Sequence, residues 1–222
     1  MNCIAINMKI YHGSQYIIEK PEIGKGKVYN DYGLGFYCTQ SLELAKEWSC
    51  DNGLDGFANC YNLNTENLKI LNLNDKKYTI LSWLTLLIKN RTFRITNELA
   101  KSAKQFLLEH YNVDISSYDV IIGYRADDSY FAFAEDFLNN SISLPRLEKA
   151  MRLGKLGEQV VLKSQKAFEE LEFFDSLKAD STKYFTLKIK RNEDAREMGN
   201  IKNTLNEQYI LDIMRQGVKD EN

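Results

Sequence analysis

"KIYHGS", Lys9 to Ser14, and "DYGLGFYCT", Asp31 to Thr39, stand close together and decide how this chain is read. Met8–Gly13 alternates apolar and polar residues and stops at a glycine, which predicts a strand running into a turn. The chain holds 2 histidines, and one of them, His12, ends that strand with Gly13 behind it. Residues 20–35 carry one Pro and four Gly, so a loop returns the chain to a second short strand over Phe36–Thr39.

Working outward, "SLELAKEWSC" places Ser41 as an N-cap before Leu42, Ala45 and Trp48 at helical spacing. "GFANCYNL" and "NLKILNL" read as two strands joined through an Asn-rich turn. Helices are expected over Tyr78–Lys89 and over Asn97–Tyr111, the latter capped by Thr96. Val120–Tyr124 reads as a buried strand that breaks at Asp127 and Asp128. "SYFAFAEDFLNN" and "SLPRLEKAMRLG" read as helices, the second with Pro145 in its first turn and Gly154 at its end. A strand over Gln159–Ser164 follows, then a short helix around Ala167–Leu171. The tail holds an alternating segment, "KYFTLKIK", and a charged helical stretch from about Asn192. Scattered strands among helices indicate an α+β fold rather than a doubly wound sheet. GxGxxG and GxxxxGK[ST] phosphate loops are both missing from the sequence.

Composition sets the outer bounds. The 222 residues are 44% hydrophobic and 12% aromatic, enough for one substantial core. Twenty-nine basic against 31 acidic residues leave a net charge of -2, so no global basic field draws the chain to nucleic acid or anionic lipid. A local basic groove stays open, and the "KGK" cluster Lys25–Lys27 reads as a solvated loop or as a contact for phosphates or an acidic target. The four cysteines, Cys3, Cys38, Cys50 and Cys60, form no CxxC pair and offer no zinc-ligand spacing. With no secretory signal at the N-terminus, reduced thiols in a cytoplasmic protein are expected. "TILSWLTLLI", Thr79–Ile88, is too short to span a bilayer and reads as a buried helix; no membrane partner and no metal are expected.

Singly, the candidate site residues have bland readings. A His at a strand edge is usually a hydrogen-bonded structural residue, a Tyr in a short strand is usually core, and a Glu before a strand is usually solvated. Their order gives them weight. "YHGS", then "YGLGFY", then "EQVVL" resembles the His–Tyr–Glu signature of ADP-ribosyltransferases of the diphtheria-toxin and poly(ADP-ribose) polymerase type. More closely, the chain looks like a family of short bacterial proteins of that fold. In that family "YHGS", "D(F/Y)GxGFY", "YRADDSYF" and "LGEQVVLKS"-like segments recur, and several members are thought to be toxins encoded beside a small antitoxin. The resemblance spans Lys9 to Phe173.

What the resemblance implies is concrete. The fold would be an ADP-ribosyltransferase-like split β-sheet core with surrounding helices over residues 1–175, with residues 176–222 forming a C-terminal strand and helical extension packed on it. The activity would be mono-ADP-ribosyl transfer from NAD, as co-substrate, to a protein or nucleic-acid acceptor, with a small antitoxin as partner. Tyr37 and Trp48 would clamp the nicotinamide, whose flat cationic ring suits aromatic faces. Gly13 would hold the carboxamide through its backbone, His12 would bond the adenine-side ribose, and Ser14 would add a hydroxyl. Breaking the nicotinamide–ribose bond builds an oxocarbenium-like cation that a carboxylate stabilises, the role of Glu158.

Neighbouring strand residues face opposite ways, so Glu158 and Gln159 cannot both enter the site. The family pattern makes Glu158 the inward one; Gln159 inward would suit a weak transferase or an NAD-binding relative. Arg125 meets a pyrophosphate in the functional reading or joins a surface ion pair in the plain one. Asp128 caps the following helix or, with Asp127, lines the site, with Tyr130 or Phe131 packing near NAD. The rivals are a non-catalytic NAD- or ADP-ribose-binding module, an RNA 2'-phosphotransferase, and an interaction protein working through its C-terminal helices.

Overall fold

The computed structural model describes residues 7–95, 97–126, 128–153, 157–199 and 207–217. In chain order the elements are β1 (Asn7–Ser14), β2 (Phe36–Cys38), α1 (Leu42–Ser49), β3 (Gly56–Asn64), β4 (Ile70–Asn72), α2 (Ile80–Asn90) and α3 (Glu98–His110). They continue with β5 (Val120–Tyr124), α4 (Asp128–Leu138), α5 (Leu144–Leu153), β6 (Glu158–Leu162), α6 (Gln165–Glu169), β7 (Leu171–Ala179), α7 (Ser181–Gly199) and α8 (Ile210–Gln216). The fold is α+β.

The strands form two open sheets. Sheet A has the order β1-β3-β7 and is antiparallel throughout. Sheet B has the order β2-β6-β5-β4, parallel only between β4 and β5. The sheets face each other across a cluster in which Met8, Ile10, Tyr61 and Leu63 of sheet A meet Val120, Ile122, Val160 and Leu162 of sheet B. On the far side of sheet B, Ile121 and Val161 join Trp83, Leu84, Leu87, Phe137 and their helical neighbours in a larger core. Sheet B is therefore buried on both faces, and that burial of apolar area drives the assembly.

One corner joins the sheets. Tyr11 and Thr39 exchange backbone hydrogen bonds of 2.8 and 2.9 Å, bringing the end of β1 beside β2. His12 and Tyr37, 25 residues apart in sequence, become neighbours there. Ser41 caps α1 as expected, its Oγ accepting from the Leu44 N–H.

"GFANCYNL" and "NLKILNL" do form β3 and β4, joined by a turn in which the Leu68 N–H donates to the Thr65 carbonyl at 3.2 Å, and the two strands belong to different sheets. Several expectations are corrected. Asn97 caps α3, accepting from the Ala100 N–H at 2.8 Å; Thr96, Asp127 and Gly154 lie outside the described residues. The helix expected around Ala167–Leu171 ends at Glu169, and the chain turns into the nine-residue edge strand β7. The expected division at residue 175 thus falls inside a strand of sheet A.

"KYFTLKIK" lies in α7, not in a strand. Among the described α7 side chains, Ser181, Tyr184, Phe185, Lys188 and Arg191 are withdrawn from solvent, all but Phe185 at helical spacing, while Leu187 and Ile189 are exposed. Two of those five are basic and the apolar Leu187 and Ile189 are exposed, so a hydrophobic pattern does not reveal the packing face. Arg191 holds α7 to α1 by a bidentate pair with buried Glu47, at 2.8 and 2.7 Å. Cys38, Cys50 and Cys60 are free and buried.

Candidate functional site

A cleft of about 400 Å³ opens at the corner where the sheets meet. His12, Gly13, Tyr37, Trp48, Arg125 and Gln159 all line it, together with Asn30, Asp31, Arg91, Ala126 and Lys188. A chamber of about 700 Å³ adjoins it and shares His12, Gly13, Asn30, Tyr37 and Trp48. The chamber's far wall carries Phe36, Phe168, Ile18 and the exposed lysines of the 20–27 loop. The described space is of the size that takes small ligands and cofactors.

His12 is fixed on two sides. Its Nδ1 donates to the Tyr37 carbonyl at 2.7 Å, and its ring stacks on Phe36 at 4.3 Å. That bond leaves Nε2 as an acceptor, and burial, outweighing the carbonyl bond, lowers the His12 pKa from its ordinary 6.5. The loop after β1 is tied down by buried Asn59, which donates to the His12 and Tyr16 carbonyls and accepts from the Ile18 N–H.

Gly13 is required by contact. A Cβ there would stand 2.2 Å from the Ala45 carbonyl oxygen and 2.8 Å from the Ser49 nitrogen, so α1 lies directly on it. That approach carries Trp48 into the cleft. Gly13 also lies two residues beyond Tyr11, so its N–H and C=O turn to the same strand edge that Tyr11 offers to Thr39.

Tyr37 presents its ring while its hydroxyl is engaged in the preceding loop. The hydroxyl donates to the Gly33 carbonyl at 2.6 Å and accepts from the Tyr32 N–H at 3.0 Å, and burial raises its pKa. Gly33 supports this turn at φ +73°, a left-handed conformation glycine adopts without strain. The Lys163 ammonium donates to the Tyr32 and Leu34 carbonyls and locks the same loop from below.

The third motif is corrected by register. Tyr37 pairs with Val161, so Gln159, two residues along β6, stands on the same face of the sheet. Gln159 is 6% exposed and lines the cleft. Glu158 is exposed, faces the other way and accepts from the Asn74 amide. Ser14 lies outside the cleft lining; its Oγ accepts from the Tyr16 N–H. Among the described residues, the buried side-chain polar atoms left without a partner are Trp48 Nε1 and Gln159 Oε1. Both belong to residues that line this cleft, one a donor and one an acceptor, and an ordered water or a bound ligand would satisfy either.

The cleft is also charged. The Arg125 guanidinium stacks 4.6 Å over the Trp48 ring, and Arg91 sits 4.3 Å over Phe131. Lys188 donates to the Cys50 carbonyl at 3.2 Å. Asp31 is 4% exposed; its Oδ2 accepts from the Ala126 N–H at 2.9 Å, and its Oδ1 lies 3.8 Å from Arg91 Nε. Asp31, Arg91 and Lys188 were missed as site residues. Asp31 heads the "DYGLGFY" segment and was within reach of a sequence reading, whereas Arg91 and Lys188 carry no local signal. Phe131 packs on Phe93 and does not line the cleft.

Residues 8–173 match the family described as "Protein of unknown function (DUF3990)". The chain belongs to that family. No curated protein and no solved structure matches the chain significantly. The family region ends within β7, so α7 and its Lys188 lie outside it. Among the described residues no group of His, Cys, Asp and Glu could hold a metal ion, and no helix is long and apolar enough to cross a membrane.

Proposed function

We propose that the cleft binds NAD and that the protein transfers ADP-ribose from it to a macromolecular acceptor. The observation that carries this reading is the meeting of His12, Gly13, Tyr37, Trp48 and Gln159, from four separate elements, around one cleft. Each fits a part of the dinucleotide. The oxidised nicotinamide ring is planar and cationic, and Trp48 already carries a planar cation on its face in Arg125. The ring would take that place, with Tyr37 opposite and the Gly13 backbone on the carboxamide. His12 offers a neutral Nε2 to a ribose hydroxyl, and Gln159 Oε1 accepts from another. Arg91, Arg125 and Lys188 supply cations for the pyrophosphate.

In the transfer, the ribose C1'–N bond breaks with its electron pair going to the nicotinamide nitrogen. The acceptor's nucleophile forms the new bond to C1' and gives up its proton. A toxin role and an antitoxin partner rest on the resemblance alone; growth arrest on expression, relieved by His12→Ala, is the outcome they require.

A second reading is favoured by one observation. Gln159 is neutral where a transferase of this kind has an acid, which suits a module that binds NAD or ADP-ribose without turnover. Calorimetric titration of the full chain with NAD, with nicotinamide release followed by chromatography, separates the two. Transfer requires both signals, and binding alone supports the second reading. Trp48→Ala is expected to weaken NAD binding roughly tenfold, the loss of about 1.4 kcal/mol of stacking and cation–π attraction. No heat of binding at millimolar NAD would remove both readings.

A further inference from the structure

We infer that Asp31, not the third-motif residue, supplies the carboxylate that faces the scissile nicotinamide–ribose bond. This rests on the reading of the cleft as an NAD site. Asp31 and Gln159 line the same cleft of about 400 Å³. Their placement is coupled through Tyr32. The Tyr32 N–H donates to the Tyr37 hydroxyl at 3.0 Å, while the Tyr32 hydroxyl stands 2.3 Å from where a Cβ on Gly123 would be. Gly123 is the register partner of Gln159. Tyr32 thus spans from the second motif, at its backbone, to the register partner of the third, at its hydroxyl, and Asp31 precedes it on the second-motif side.

The chemistry divides between the two side chains. Gln159 Oε1, buried and without a partner, accepts a ribose hydroxyl but brings no charge. Asp31 is 4% exposed and held in place by the Ala126 N–H at 2.9 Å, so its charge is preorganised rather than reoriented during the reaction. Arg91 Nε lies 3.8 Å from Oδ1, and both residues line the cleft. As the C1'–N bond breaks, its electron pair neutralises the nicotinamide nitrogen and positive charge appears on the ribose, where Asp31 stabilises it. The acceptor X–H then adds through X to C1', and its proton passes to the Asp31 carboxylate and on to water. The products are ADP-ribosyl–X, nicotinamide and one proton; water as X gives hydrolysis, the reaction used in the assay.

The test uses the full chain, NAD, nicotinamide release by chromatography, NAD affinity by calorimetry and thermal melts. Asp31→Asn keeps an oxygen for the Ala126 N–H and removes only the charge. Release is expected to fall about 100-fold or more while NAD affinity stays within about 3-fold. Adding Gln159→Glu to Asp31→Asn returns a carboxylate to the cleft and is expected to recover about 10-fold of the lost rate, which a purely structural Asp31 would not allow. Wild-type release from Asp31→Asn overturns the inference. So does loss of release and affinity together without rescue. A wild-type protein that binds NAD and releases no nicotinamide removes the role of Asp31 while leaving NAD binding intact. A wild-type protein that does not bind NAD removes the underlying reading itself.

Discussion

In sheet A, β1 buries Met8 and Ile10 and turns Asn7 and Lys9 to solvent; in sheet B, β6 buries Gln159, Val160, Val161 and Leu162 in succession. The difference lies in what covers each strand. The outer face of β1 meets water before α1 reaches it at Gly13, whereas β6 has sheet A on one side and the helical core on the other. A half-exposed strand writes its orientation into the sequence as alternation, and a strand buried on both faces does not. Both strands contribute to one cleft, so one half of the site could be oriented by pattern and the other could not.

The largest expected effect tests this difference directly. Ile121→Ala and Ile122→Ala, consecutive in β5, are each expected to destabilise by about 2–5 kcal/mol, because both faces of sheet B are packed. In β1, Ile10→Ala is expected to cost a similar amount and Lys9→Ala less than about 0.5 kcal/mol. Urea unfolding of the four variants checks it; a small cost at Ile121 or Ile122 would break the comparison.

The adjacent pair at the mouth of β6 sharpens it. Gln159→Leu removes a buried acceptor without a partner and is expected to leave stability within about 1 kcal/mol, or raise it, while weakening NAD binding. Glu158→Ala, on the solvent side, is expected to change stability by less than about 0.5 kcal/mol and to leave NAD binding unaltered. Melting and calorimetry on the two variants decide it, and the reverse pattern would return Glu158 to the site.

The weakest effect is graded by pH. His12 binds its proton less readily folded than unfolded, so above its ordinary 6.5 it leaves stability unaffected by pH. As pH falls through 6.5 toward the lowered folded value, the unfolded chain takes up the proton first and stability drops. Melting temperatures of the wild type and His12→Gln between about pH 5 and 8 are expected to diverge on the acid side, the variant falling less. Parallel curves would mean that His12 titrates alike in both states.

How far the sequence could be read follows the same physics. The caps at Ser41 and the segments β1, β5, α2 and α4 were legible because side-chain period and turn residues act locally. The strand β7 was not, since an edge strand with "LEFFDSLKA" has neither clean alternation nor a long apolar run. Nor was α7, which mixes Tyr184 and Phe185 with Lys188 and Arg191 on its packed side, Tyr184 and Arg191 bonding to Glu43 and Glu47 of α1. A basic residue that packs through its stem and pairs with a buried glutamate looks, in sequence, like a solvated one.

By itself the sequence determined the residue types of the site and their order: a histidine before a glycine at a strand end, a tyrosine after a glycine turn, and a Glu-Gln pair opening a late strand. Spacing and turn chemistry are local properties, and local properties survive in one dimension. Only the tertiary structure decided that Gln159 rather than Glu158 turns inward, that Asp31 lines the same cleft, and that Lys188 reaches it from outside the family region. Those facts depend on strand register and on contacts between distant segments, and register is set when two sheets and a layer of helices exclude water from the same strand.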